Sequence, residues 1–255
     1  TFTFMRHNSV HYLPLHVHIG IIGWFLLLVI GVASRLIPLF LISKFSNPGI
    51  LWLIFWLVNL SLLLFILIFY FLPISYSLIP DVMLFAAILL FIYYCIAAYK
   101  QRIRKQVDGQ VRLSLLSAIM MALPLILLFI ILLIFINRKA ENNAFMVAYG
   151  FIIFFGWITA IILGMTFKTL PFIVWNKVYR KRSGQGKTPS PKDMFSNTVF
   201  KIMCVAYLLG FIIFICGLLF PQSILLKPGA LLLLITAILY NWNVIKIFTH
   251  KAQLK

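Results

Sequence analysis

A chain of 255 residues that is 64% hydrophobic and only 10% charged has too little polar surface to coat a water-soluble globule. Its 22 Lys and Arg against four Asp and Glu give a formal charge of +18, which in a soluble domain would suggest nucleic acid. Here the basic residues crowd into two loops, so anionic lipid headgroups are the simpler counterion and nucleic acid is set aside.

Several apolar runs exceed the roughly 20 residues that a helix needs to cross a hydrocarbon core, and the alternation of barrel strands is absent. The expected fold class is therefore all-α transmembrane, one polytopic domain over residues 1–255 with the lipid bilayer as its first partner. The chain opens with a histidine cluster: His7, His11, His16 and His18 are four of its five histidines. The first span is predicted at 17–42, within LHVHIGIIGWFLLLVIGVASRLIPLF. Spans at 49–72 and 78–99 follow, the latter with Asp81 after Pro80 at a helix start, where the helix dipole favours an anion. The loop KQRIRKQVDGQVR leads to a fourth span at 113–136 and then a fifth at 145–175. The loop NKVYRKRSGQGKTPSPKDMFSN precedes the last two, at 199–220 and 228–248. Pro38, Pro80, Pro124 and Pro171 sit at or inside spans, which membrane helices tolerate. Cys95, Cys204 and Cys216 lie in apolar runs without C-x-x-C spacing and read as small buried hydrophobes.

Basic residues set the expected orientation. Eighteen fall on the side that carries both long loops and the carboxyl end, and four on the other. This predicts a cytoplasmic C-terminus and an N-terminus outside, in a bacterial inner membrane if the host is bacterial. Asp108, Glu141 and Asp193 are placed in loops. So few acids in the spans argue against a proton pump or cation-coupled transporter. No secretory signal precedes the first span, an expected sign of a processed start or a longer parent chain.

An internal repeat is visible. Gly23, Trp24, Gly31, Arg35 and Pro38 match Gly156, Trp157, Gly164, Lys168 and Pro171 at a constant offset of 133 residues. The repeat units are expected at roughly 15–140 and 148–255; three other spans separate the matched ones, so these run in the same direction and the repeat unit is four helices. Arg35 and Lys168 can snorkel to headgroups, and the glycines suit close helix packing or the approach of a flat cofactor.

His16 and His18 are two residues apart, so on a helix they point about 200° from each other and cannot share one metal. They could serve two sites, as axial ligands to haem iron or as copper ligands. His7 and His11, at i and i+4, are further metal-ligand candidates, although they precede Pro14. The alternatives are that these are interfacial histidines with polar tips at the membrane surface, beside Tyr12 and Trp24, or that they have a pH-sensing or substrate-binding role. His250 belongs to the basic tail.

The His-x-His that opens a helix entering from outside, together with a four-helix repeat, resembles the catalytic subunit of the haem-copper oxidase superfamily. The wording HVHIGIIGWF…GVASRLIPLF is most similar to the divergent bacterial branch of oxidase-subunit-I-like or NnrS-like membrane proteins. The resemblance implies that the seven spans correspond to helices six to twelve of that twelve-helix fold. It also implies haem or copper at His16 and His18, with an electron-transfer or nitric-oxide-related role. The departures are clear: the second span has no His-His pair, no His-Pro-Glu-Val-Tyr occurs, and Tyr149 and Phe151 replace the histidines in the second repeat. A standard dioxygen-reducing centre cannot be built from these residues.

Two other functions compete. A transporter or channel for a small anion would use Arg35 and Lys168 at the mouth, with Asn59, Asn137 and Asn241 as a thin polar lining. A structural subunit of a respiratory complex would pack its apolar faces against other membrane subunits. No nucleophile–base pair, dinucleotide fingerprint or P-loop is present; GQGKTPS lacks the glycine spacing.

Overall fold

The computed structural model describes residues 9–103, 105–138, 143–180, 189–220 and 223–251. An apolar run in hydrocarbon must satisfy its own backbone hydrogen bonds, which it does by coiling into a helix. Among the described residues seven helices are long and apolar enough to cross a membrane: α1 (Val10–Leu41), α2 (Pro48–Phe71), α3 (Ile74–Lys100), α4 (Gly109–Asn137), α5 (Asn143–Tyr179), α6 (Asn197–Leu219) and α7 (Ile224–Phe248). The chain is therefore all-α and multi-pass in character.

The helix ends differ from the predicted spans for local reasons. α1 begins well before residue 17, because Pro14 falls in the first turn of the segment Leu13–His18, where its missing N–H costs nothing. A 3-10 turn at Ser9–Tyr12 leads into it, so His11 is in helical continuity with His18. α1 stops where Ile42 adopts a left-handed conformation (φ 51°) and Ser43 N–H bonds Pro38 O at 2.9 Å. α2 starts at Asn47, whose side chain accepts from Ile50 N–H at 3.2 Å. Ser196 plays the same part for α6, accepting from Val199 N–H at 3.4 Å. α5 runs past Pro171 to Tyr179. α4 is interrupted at Met121, between helical segments Gly109–Met120 and Ala122–Arg138. Pro124 supplies no N–H for the carbonyl four residues back, at Met120, which accounts for the break.

The chain divides into two compact units. The first holds α1, α2, α3 and the part of α4 from Met121 onward. Its core is the face of α3 that buries Asp81, Leu84, Ile88, Phe91, Cys95 and Ala98, a helical repeat of three and four residues. Polar ties cross between helices: Tyr94 O–H donates to Ser34 O at 3.1 Å and Ser61 O–H to Pro80 O at 2.7 Å. Large apolar side chains such as Trp52 and Trp56 stay exposed on α2, as expected of a surface that faces lipid.

The second unit holds Val107–Met120, α5, α6 and α7. Here glycines set the packing. A Cβ on Gly164 would run into Ser114 Oγ and lie 2.8 Å from Gln110 O, and one on Gly229 would lie 2.8 Å from Phe214 N. Tyr207 is fully buried and its hydroxyl donates to Gly156 O at 2.7 Å and Phe155 O at 2.9 Å.

Each unit contains a helix with a π-helical stretch, Ile19–Leu26 in α1 and Ile152–Ile158 in α5. The two stretches start 133 residues apart, the separation of the two Gly-Trp motifs they contain. A π turn takes an extra residue and rotates every later side chain relative to the α-helical pattern.

Candidate functional site

The first unit encloses a cavity of about 380 Å³, within the range of small-molecule sites. Its walls come from the start of α1 (His11, Pro14, His18, Ile22), the end of α2 and the start of α3, and the part of α4 with Leu128 and Leu132. Most of the lining is apolar, with Ser61, Ser77, Asp81 and the two histidines as its polar groups.

Asp81 is the exceptional member. The residue is 5% exposed, and its Oδ1 is buried with no hydrogen-bond partner among the described residues. It also lines a second apolar cavity of about 240 Å³, with Val82, Phe85, Leu125, Ile126 and Phe129, so the carboxyl stands in the wall of both. Burying a carboxyl without a donor or cation is costly, and natural structures keep such a group where a ligand supplies what is missing. No Lys or Arg lines either cavity.

His18 is held in two ways. Its ring stacks on Phe65 with centroids 4.6 Å apart, and its Nδ1 lies 2.7 Å from Pro14 O. A carbonyl only accepts, so Nδ1 carries the hydrogen and Nε2 is the acceptor nitrogen of the neutral ring. His11 packs at 5.4 Å on Phe69 and at 5.3 Å on Tyr12. His16 is exposed and does not line the cavity, which the 200° between positions 16 and 18 explains. His7 lies outside the described residues. The structure thus brings His11 and His18 together with Asp81 and leaves His16 apart. Asp81 was overlooked as a site residue, although the sequence marks it as the one acid inside a predicted span.

Among the described residues no group of three His, Cys, Asp or Glu side chains converges on a point where a metal ion could sit. A haem would find one candidate axial ligand in His18, whose Nδ1–H on a backbone carbonyl is the usual outer partner of a ligating imidazole.

The other predicted polar residues have structural partners. Lys168 Nζ donates to Asp108 Oδ2 at 2.7 Å, and Lys192 Nζ to Asp108 Oδ1 at 2.8 Å. Burial alone would raise the Asp108 carboxyl, but the two lysine hydrogen bonds and charges outweigh it and hold the group at about 2. Arg35 is exposed on α1. Asn59, Asn137 and Asn241 each donate to the carbonyl four residues back on their own exposed helix faces.

The second unit repeats part of this packing with other side chains. The repeat offset places Phe151 at the position of His18, and aligning the caps Asn47 and Ser196 places Phe214 at that of Phe65. Phe151 stacks on Phe214 with centroids again 4.6 Å apart. The same alignment places Gly229 at the position of Pro80 and the exposed Ala230 at that of Asp81. No family model, curated protein or solved structure matches this chain.

Proposed function

We propose that the chain is a membrane-embedded small-molecule-binding protein of transporter type, whose site is the cavity of the first unit. The observation that carries this reading is the buried Asp81, whose Oδ1 has no hydrogen-bond partner among the described residues and which stands in the wall of two cavities. A carboxyl in that setting marks a substrate or ion path far more often than a packing role. An anion fits poorly, because the polar lining contains a carboxyl and no Lys or Arg. If the count of basic residues sets the orientation, the cavity lies toward the outer face. The test is thermal unfolding of the purified chain with panels of small apolar amines, alcohols and acids. One class raises the melting temperature, and Leu84→Trp, which fills the cavity, abolishes the rise. If no compound stabilises the wild type beyond the filled variant, the reading is wrong.

A second reading is supported by the His18 geometry and by the oxidase-like wording of α1. In it the chain is an oxidase-subunit-I-like protein of a bacterial inner membrane, with haem bound through His18 and an electron-transfer or nitric-oxide-related role beside other respiratory subunits. Haem would supply the redox chemistry; this chain would supply an imidazole oriented by Pro14 and Phe65. Visible spectra of oxidised and reduced protein decide it: a Soret band lost in His18→Phe and kept in His16→Ala supports it, and a colourless protein removes it.

A further inference from the structure

We infer that the ligand of the first-unit cavity is a primary ammonium on an apolar body. This rests on the reading of the cavity as a ligand site and goes further by naming the chemistry it selects. Two of the polar groups in the lining, Asp81 and Ser61, present acceptor oxygens. Asp81 offers a carboxyl oxygen, Oδ1, that meets no donor among the described residues. Ser61 spends its hydrogen on Pro80 O at 2.7 Å, so its oxygen is left to accept.

A ligand that matches acceptors must bring donors. An ammonium brings three N–H groups and a positive charge, where an alcohol or phenol brings one hydrogen and no charge. The charge compensates Asp81, so that the pair enters the apolar interior with no net charge. Phe65 and Phe69 in the wall add ring faces that attract a cation. The remaining lining, including Ile22, Leu62, Leu84 and Leu128, suits a hydrocarbon body. A bare Na⁺, Mg²⁺ or Ca²⁺ ion is a poor match, since hard cations need a cage of oxygens and the lining supplies few.

The second unit supports the assignment by contrast. It keeps the ring stack but has Phe151 and Ala230 where the first unit has His18 and Asp81, so both polar side chains are absent from those positions.

The experiment is a binding titration of the full chain in nanodiscs of zwitterionic lipid. The probes are 4-phenylbutylamine and its uncharged counterpart 4-phenylbutan-1-ol, with wild type, Asp81→Asn and the cavity-filling Leu84→Trp. The expected result is that wild type binds the amine about tenfold or more tightly than the alcohol, as a hydrogen-bonded charge implies. Asp81→Asn brings the amine down to the level of the alcohol. If wild type binds both probes equally and Leu84→Trp binds neither, the cavity is a ligand site and the ammonium assignment is overturned. If neither probe distinguishes wild type from Leu84→Trp, the assignment and the reading beneath it both fall. The wild-type comparison of the two probes needs no variant to fold.

Discussion

The imidazole of His18 lies against the ring of Phe65 with centroids 4.6 Å apart and planes 27° from parallel. Phe151 and Phe214 make the same stack in the second unit, at 4.6 Å and 23°. The ring-on-ring contact is thus part of the scaffold, and in the first unit a side chain with polar nitrogens occupies it. His18→Phe should fold normally, with unfolding free energy within about 1 kcal/mol of wild type, as expected of a volume-conserving change. It should weaken amine binding or remove any chromophore. His16→Ala, on an exposed position, should alter stability by less than about 0.5 kcal/mol and leave binding unchanged. Thermal unfolding and titration of the two variants in parallel check this.

Gly31 and Gly164 occupy matching places in the Gly-Trp motif but differ in their surroundings. Nothing lies within 4 Å of a Cβ built on Gly31, whereas one on Gly164 meets Ser114 Oγ, Gln110 O at 2.8 Å and Ser114 N at 3.0 Å. Gly164→Ala should therefore cost about 1–3 kcal/mol by forcing α5 from the Gly109–Met120 segment. Gly31→Ala should be neutral or stabilise by up to about 1 kcal/mol through helix propensity. Denaturant unfolding of the pair measures the difference, and equal costs would show that the first-unit glycine is also a packing site.

Tyr207 supports the irregular stretch of α5. Gly156 there has non-helical angles (φ −86°, ψ −106°), and the Tyr207 hydroxyl shares its hydrogen between the carbonyls of Phe155 and Gly156. Tyr207→Phe leaves those carbonyls without that donor and should destabilise the protein by about 1–3 kcal/mol. Hydrogen exchange should rise first at the residues following Gly156, and unchanged exchange would show that the stretch holds itself.

Asp108 gives a pH dependence. Its carboxyl is held at about 2 by Lys168 and Lys192, below the ordinary carboxylate value near 4. A depressed folded-state value contributes stability that is complete above the unfolded value and is lost as pH falls toward the folded one. The contribution should therefore be constant from neutrality to about pH 5 and disappear between about 4 and 2. Its size is roughly 1–2 kcal/mol, discounted because Lys192 is 59% exposed. Asp108→Asn should lose it at all pH values and show a flatter stability profile over that window.

Much of the fold was legible in the residues themselves. An apolar run long enough to cross hydrocarbon must be a helix wherever it is placed, so the seven spans follow from hydropathy, with ends moved by Pro14, Pro171 and the caps at Asn47 and Ser196. The 200° between His16 and His18 likewise follows from helix geometry alone. The candidate site was legible only in part: His11 and His18 were marked by their type and Lys168 by its place in the motif, while Asp81 was read as a helix-start anion.

The sequence by itself determined the number and character of the helices, because each span answers to its own composition and to the solvent around it. Only the tertiary structure decided which polar groups meet. Asp81 shares a cavity with His18 because α1, α2 and α3 pack with those faces inward, and the π turn at Ile19–Leu26 resets which side of α1 the later residues occupy. The partner of Lys168 was decided in the same way, since Asp108 is 60 residues away in the chain and reaches it only through the packing of Gly109–Met120 on α5.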